Sequence, residues 1–161
     1  MEKIDQSAME PENSVNPLTG ARYRLPEDFN DRKGIDEFLS RNSGKPVVVV
    51  QGLGFVGGVM SLVCAHAINC EYAVIGVDLP TPDSYWKIRS FNEGILPLKS
   101  SDPKVSEFFN QARENGNHYA TFDSSAYAQA DVIIVDVNLD VQKQSNSEGI
   151  LSEFDVDMGP F

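Results

Sequence analysis

An α/β fold with a doubly wound, mostly parallel sheet is predicted for this chain by three observations. A continuous β-branched run, Val47-Val48-Val49-Val50, leads straight into the glycine-spaced turn Gly52-Leu53-Gly54-Phe55-Val56-Gly57. The segment from Phe55 to about Asn69 then puts Val56, Val59, Met60 and Val63 at i, i+3, i+4 and i+7, one face of a helix. A second apolar run, Ala73 to Val77, closes on Asp78, twenty-one residues past the last glycine of the turn. Strands of this composition, without polar alternation, are buried on both faces, as in parallel sheets covered by helices. Strand, turn, helix and returning strand make a βαβ unit of Rossmann-like type.

The remaining elements follow in order. Residues 1–44 are a polar extension rich in Pro, Asn, Glu and Asp, with Asn16-Pro17-Leu18-Thr19-Gly20 as turn material and a helix over Gly34–Arg41 through Ile35, Phe38 and Leu39. The extension is expected to drape over the domain and to be partly disordered. Residues 45–138 carry the α/β pattern, beginning with a strand over Pro46–Gln51. A helix is expected around Ser84–Phe91, then a turn-rich stretch, then a helix from Pro103 to about Asn115, with Asp102 as N-cap and proline in the first turn. A strand at His118–Thr121, a small helix at Asp123–Gln129 and an apolar strand at Val132–Val137 complete a sheet that stops after about four strands. Residues 139–161 read as a polar C-terminal tail or as the start of a missing remainder, in which Gln142–Gly149 reads as a mobile loop and Phe154 and Phe161 as local docking residues.

Composition narrows the function. At 161 residues and 17.7 kDa the chain is expected to form one domain with a real core. A formal net charge of −11 and a pI near 4.5 argue against nucleic acid as a partner. Cys64 and Cys70 match neither a redox pair nor a zinc clamp, so both are expected as free thiols, with Cys64 in helix core. The apolar stretch Val47–Ile68 has the length of a membrane span and holds Gly54-x-x-x-Gly58. Four consecutive valines favour a strand, however, and Gln51, Ser61 and His66 would lie in hydrocarbon. No membrane association is therefore expected. With no apolar signal core near Met1, the expected location is cytoplasmic.

Each part of the glycine turn has a mechanical role. Gly52 lets the chain turn off the strand, Gly54 leaves room for a pyrophosphate beside bare backbone, and Gly57 lets the helix pack against the sheet. Phe55 and Val56, in the first helical turn, would present amides to the phosphates. Asp78 would accept hydrogen bonds from the adenosine ribose and repel a 2′-phosphate, so NAD is favoured over NADP. Val137, ending the fourth strand, joins these as a cofactor-binding residue. His66 and His118 have no partner placed beside them and read as structural. Asp131, Asp136, Asp140, Asp155 and Asp157 lack calcium-loop spacing and read as solvated surface, so no metal is expected. Tyr85 and Trp86 either flank an adenine pocket or pack their helix on the sheet.

Over residues 46–137 the chain resembles the NAD-binding domain of the UDP-glucose/GDP-mannose dehydrogenase family, nucleotide-sugar 6-dehydrogenases such as UDP-N-acetylmannosamine dehydrogenase. The resemblance lies in Gly52-Leu53-Gly54-Phe55-Val56-Gly57, in Val74-Ile75-Gly76-Val77-Asp78, in Asn92-Glu93-Gly94-Ile95-Leu96-Pro97, and in Ala130-Asp131-Val132-Ile133-Ile134-Val135. It implies oxidation of a sugar C6 alcohol to a carboxylate in two NAD-dependent steps. The family's catalytic cysteine segment, its Lys and Asn, its dimerising helix and its sugar-nucleotide domain have no counterpart here. Val137-Asn138-Leu139-Asp140 replaces the family's Thr-Pro turn. The resemblance therefore implies an NAD-binding portion without full catalysis, the nucleotide sugar being a partner of the full-length enzyme. A nonenzymatic nucleotide- or partner-binding module is the alternative. If the strands run in the order 3-2-1-4, Val132–Val137 is an open edge of interior composition. A further segment, a second polypeptide or another copy of the chain is expected to cover it.

Overall fold

The computed structural model describes residues 13–137 and the two strands 141–145 and 151–156. In chain order the elements are β1 (Asn13–Val15), β2 (Arg22–Arg24), α1 (Arg32–Arg41), β3 (Val47–Gln51), α2 (Phe55–Ala65), β4 (Ala73–Val77), α3 (Tyr85–Glu93), α4 (Pro103–Asn115) and β5 (His118–Thr121). A 3₁₀ helix over Ser124–Gln129, β6 (Val132–Val135), β7 (Val141–Ser145) and β8 (Leu151–Val156) follow.

Four strands form one parallel sheet in the order β5-β4-β3-β6, which is the expected 3-2-1-4. Register sets Val49 between Ile75 and Ile133, and Ile75 beside Tyr119. Because strand side chains alternate, the central valines serve two cores at once. Val48 and Val50 pack with Leu62, Ile88, Phe91 and Phe109 from α2, α3 and α4. Val49 faces the other way, into Ile35 and Phe38 of α1 and Ala126 of the 3₁₀ helix. That two-sided burial is why β3 and β4 read as continuous apolar runs.

The helices follow the sequence signals with two differences, both in α2. Asp102 caps α4, its carboxylate accepting from the Lys104 amide at 2.9 Å, as the Asp-Pro pair predicts. α2 ends at Ala65, short of Asn69, and buries the opposite face from the one its valines suggest. Val56, Met60 and Val63 are 60%, 39% and 45% exposed, whereas Gly57, Gly58, Ser61, Leu62 and Ala65 are buried, with only Val59 of the expected stripe packed against the core. A helix lying this close to a sheet needs small residues beneath it, and closeness outweighs hydrophobicity here. Cys64 is half-buried at the core margin, and burial pushes its thiol pKa up; both cysteines are free.

The N-terminal extension is more ordered than its composition predicts. From residue 13 it forms the antiparallel hairpin β1–β2 around the expected Asn16–Gly20 turn, and α1. Asp31 anchors it to β5, accepting from the hydroxyls of Tyr119 at 2.8 Å and Thr121 at 2.6 Å. In the tail, Gln142–Ser145 belong to β7, which pairs antiparallel with β8, where a loop was expected; Phe154 stands opposite Lys143 in that register. Phe161, Asn138, Leu139, Asp140 and Asp157 lie outside the described residues. β6 borders the sheet, and Val132, Ile133 and Val135 are each about half exposed, as its open-edge position requires.

At the opposite edge, Asn92 takes the place of a neighbouring strand. Its amide donates to the Ala120 carbonyl at 2.7 Å, and its oxygen accepts from the Ala120 amide at 2.9 Å. Asn92→Ala leaves both backbone groups of a buried residue unpaired, so unfolding in urea should show a loss of about 2 kcal/mol. His118 supplies a second test. Enclosure by Ser61 and the Phe91 ring lowers its pKa to about 4, against 6.5 when free. Between those values the unfolded chain binds the extra proton, so this contribution is full above pH 6.5 and is lost as pH falls towards 4. Stability should drop by about 3 kcal/mol across that interval, and His118→Gln should flatten the slope.

Candidate cofactor-binding site

A cleft of about 560 Å³ opens where β3, β4 and β6 end, the switch point of a doubly wound sheet. The glycine turn forms its floor through Gln51, Gly52, Gly54, Phe55 and Val56; Val77, Asp78 and Leu79 form one wall, and Asp136 and Val137 the other. Phe122, Ser124 and Tyr127 close the β5 end, with Lys87 reaching in from α3. A hollow of similar size on α1 is lined only by charged and hydroxyl side chains of that one helix, Arg32 to Arg41, and offers no convergent backbone groups.

The three glycines of the turn differ in what surrounds them. Gly52 has φ +91°, a left-handed conformation, and a Cβ there would be driven into the Asp136 carbonyl oxygen. At Gly57 a Cβ would strike the Gly52 carbonyl oxygen and come within 3.0 Å of the Asp136 carboxylate. Beside Gly54 there is nothing within 4 Å. Gly52 and Gly57 are thus required by the protein's own packing, and Gly54 alone leaves space over bare backbone. The first bond of α2 runs from the Gly58 amide to the Gly54 carbonyl at 2.9 Å. The amides of Phe55, Val56 and Gly57 therefore precede the first intrahelical partner, and at a helix N-terminus such amides favour an anion.

Asp78 sits just past β4 and is locked in place. Its Oδ2 accepts from the Leu53 amide at 3.1 Å and from Lys87 Nζ at 3.2 Å, while Oδ1 accepts from the Leu79 amide at 2.8 Å. A carboxylate has about four acceptor positions, so it keeps capacity for a ligand hydroxyl. The ion pair is well enclosed, with the Lys87 and Asp78 side chains 21% and 11% exposed. Lys87 is a residue sequence reasoning missed; its only signal is a cation on the helix after Asp78. Phe122, Ser124 and Tyr127 were missed too, although they directly follow the third strand. Asp136, read from sequence as solvated surface, lines the cleft.

Tyr85 and Trp86 pack instead of flanking the cleft. Tyr85 is buried edge-on behind Phe122 at 5.8 Å, and the Trp86 indole donates to the Asp83 carbonyl at 2.9 Å. Both histidines pack against other side chains. His66 stacks on Phe108 at 4.0 Å. Ser61 donates its hydroxyl proton to the Gly58 carbonyl at 2.7 Å, so its oxygen is left to accept from His118 Nε2 at 3.0 Å, and the pair holds no activated nucleophile. Among the described residues no cluster of His, Cys, Asp or Glu could hold a metal ion, and no helix is long and apolar enough to cross a membrane.

Comparison with known proteins now bears on this cleft. Residues 46–155 match the model of the UDP-glucose/GDP-mannose dehydrogenase family, NAD binding domain. The chain belongs to this family. The crystal structure of NDP-N-acetyl-D-galactosaminuronic acid dehydrogenase from Methanosarcina mazei Go1 shares the fold, with a TM-score of 0.53 and 24% identity. The match covers 70% of this chain but 22% of that one, so the chain spans about a fifth of that dehydrogenase. No curated protein matches it. The family's NAD-binding domain takes NAD(H), and the residues here fit a dinucleotide: open backbone at Gly54, helix amides beside it, and a fixed carboxylate at the end of β4.

The glycines give a contrast that thermal melts can read. Gly57→Ala must push α2 away from β3 and should lower Tm by roughly 5–10 °C. Gly54→Ala, facing open space at ordinary dihedrals, should melt with the parent.

Proposed function

We propose that this chain is the NAD-binding portion of a nucleotide-sugar dehydrogenase that oxidises the C6 alcohol of a UDP-sugar to the uronic acid, a precursor for polysaccharide biosynthesis. The observation that carries the reading is the open backbone at Gly54, set between the first amides of α2 and the fixed Asp78 carboxylate. In this reading Gly52, Gly54, Phe55, Val56 and Gly57 hold the pyrophosphate, Asp78 the adenosine ribose, and Val137 borders the nicotinamide side. Leu79 and Phe122 supply apolar surfaces for adenine. Bound NAD supplies the hydride acceptor. Cofactor binding is assigned to residues 45–138, flanked by the extension 1–44 and the tail 139–161. The 161-residue chain is proposed to bind NAD without completing catalysis; among the described residues neither Cys64 nor Cys70 lines the cleft. Two free thiols suit a reducing cytoplasm.

A second reading, a nonenzymatic module that docks a partner, is favoured by one observation: the half-exposed Val132, Ile133 and Val135 along the open β6 edge. Another polypeptide or a second copy of the chain would cover them.

Calorimetric titration of the folded chain with NAD and with NADP separates the two. Saturable binding, weaker for NADP, is expected; a folded chain that binds neither would sink the cofactor reading in favour of the second. Asp78→Asn should weaken NAD about tenfold and narrow the gap to NADP, because it removes the ribose acceptor and frees the Lys87 ammonium for a 2′-phosphate. Gly54→Val should abolish binding while leaving the circular dichroism spectrum intact, and retained affinity would remove the turn from the site.

A further inference from the structure

The hairpin β1–β2 is bolted to α3 by buried polar side chains. Ser14, fully buried, accepts from the Trp86 amide at 2.9 Å and donates to the Pro82 carbonyl at 2.6 Å. The helix's own N-cap, Ser84, makes no side-chain capping bond, so Ser14 caps α3 from seventy-two residues away. Asn16, also fully buried, donates to Ser90 Oγ at 2.9 Å, and its oxygen folds the following turn by accepting from the Leu18 amide at 2.8 Å. Trp86 and Ser90 are i and i+4 on one helix face, and Lys87 lies between them in sequence. Buried polar groups satisfied on every side hold a single geometry, because shifting them strands donors and acceptors away from water.

We infer that the N-terminal hairpin is a working part of the adenosine end of the cleft: Ser14 and Asn16 are positioning residues that hold α3 so that Lys87 stays against Asp78. The inference rests on the cofactor reading above. The segment 79–84 between β4 and α3 ends in a turn in which the Thr81 carbonyl accepts from the Ser84 and Tyr85 amides at 3.1 and 2.9 Å, which marks where α3 begins but ties it to no other element. The hairpin supplies that second constraint, tying the Pro82 carbonyl and the Trp86 amide to one hydroxyl of β1. Asn92 pins the far end of the same helix to β5. Lys87 Nζ is thereby presented to Asp78 from a helix held at both ends.

A double-mutant cycle on the whole chain, read by NAD titration, tests this. Ser14→Ala should weaken NAD about fivefold to tenfold. In a Lys87→Met background the same change should have little further effect, because its influence passes through Lys87. Equal losses in both backgrounds, or no loss in either, would overturn the inference while leaving the cofactor reading standing. A parent chain that fails to bind NAD overturns both. Should Ser14→Ala misfold, hydrogen exchange of the parent decides: NAD should slow exchange in residues 13–24 as well as in α3, and slowing confined to the glycine turn and α2 would overturn the inference.

Discussion

The structure depends on one close approach of three backbone segments. Where β3 turns into α2, the Gly52 carbonyl lies against Gly57, and the Asp136 carbonyl against Gly52, with no room for a Cβ at either glycine. This triple approach sets the distance of α2 from the sheet and the direction of its N-terminus, and it brings the end of β6 to the same point. The consequence spreads along the helix. Its buried face is Gly57, Gly58, Ser61, Leu62 and Ala65, and its larger valines turn outward. At Gly58 the space is filled by Leu98, whose methyl lies 3.0 Å from where a Cβ would be. The first turn of α2 is placed by the protein's own packing.

Polar side chains set the rest of the architecture at long sequence range. Asp31 ties α1 to β5, Asn92 ties α3 to β5, and the Asn117 amide donates to the carbonyls of Ala65 and Tyr72 at 2.8 and 3.1 Å. Each joins elements whose apolar faces alone would leave free to slide. Hydrophobic burial is non-directional and supplies most of the driving force, whereas these bonds choose one arrangement, since a buried polar group without its partner is costly. The Lys87–Asp78 pair belongs to the same class, with the difference that it faces a cleft.

Family membership and geometry agree on a dinucleotide cleft of Rossmann type, and the chain adds features of its own to it. Lys87 offsets the charge of Asp78, and Asp136 places a carboxylate beside the first turn of α2, where helix amides otherwise favour anions. The apolar positions of β6 remain half exposed on one border of the sheet.

Much of this was legible in the sequence. The valine run, the glycine spacing and Asp78 determined the βαβ unit, because strand and helix periodicities and the steric demands of a tight turn are local properties. Asp102-Pro103 marked the start of α4 for the same reason. The residue-by-residue environment was not local. Periodicity marks a helix without saying which face meets the sheet, so the Val56, Met60 and Val63 stripe pointed to the wrong side. Composition made residues 13–24 look like loose extension, since Ser14, Asn16 and Tyr23 are polar or amphipathic and anchor to α3 and the segment before it through partners 68 to 74 residues away. Lys87 and Asp136 joined the cleft only when α3 was docked and β6 aligned with β3. The sequence by itself determined the fold class and the glycine turn; the tertiary structure decided which charges stand beside it, because contact between distant segments depends on register and docking angle, which no local pattern encodes.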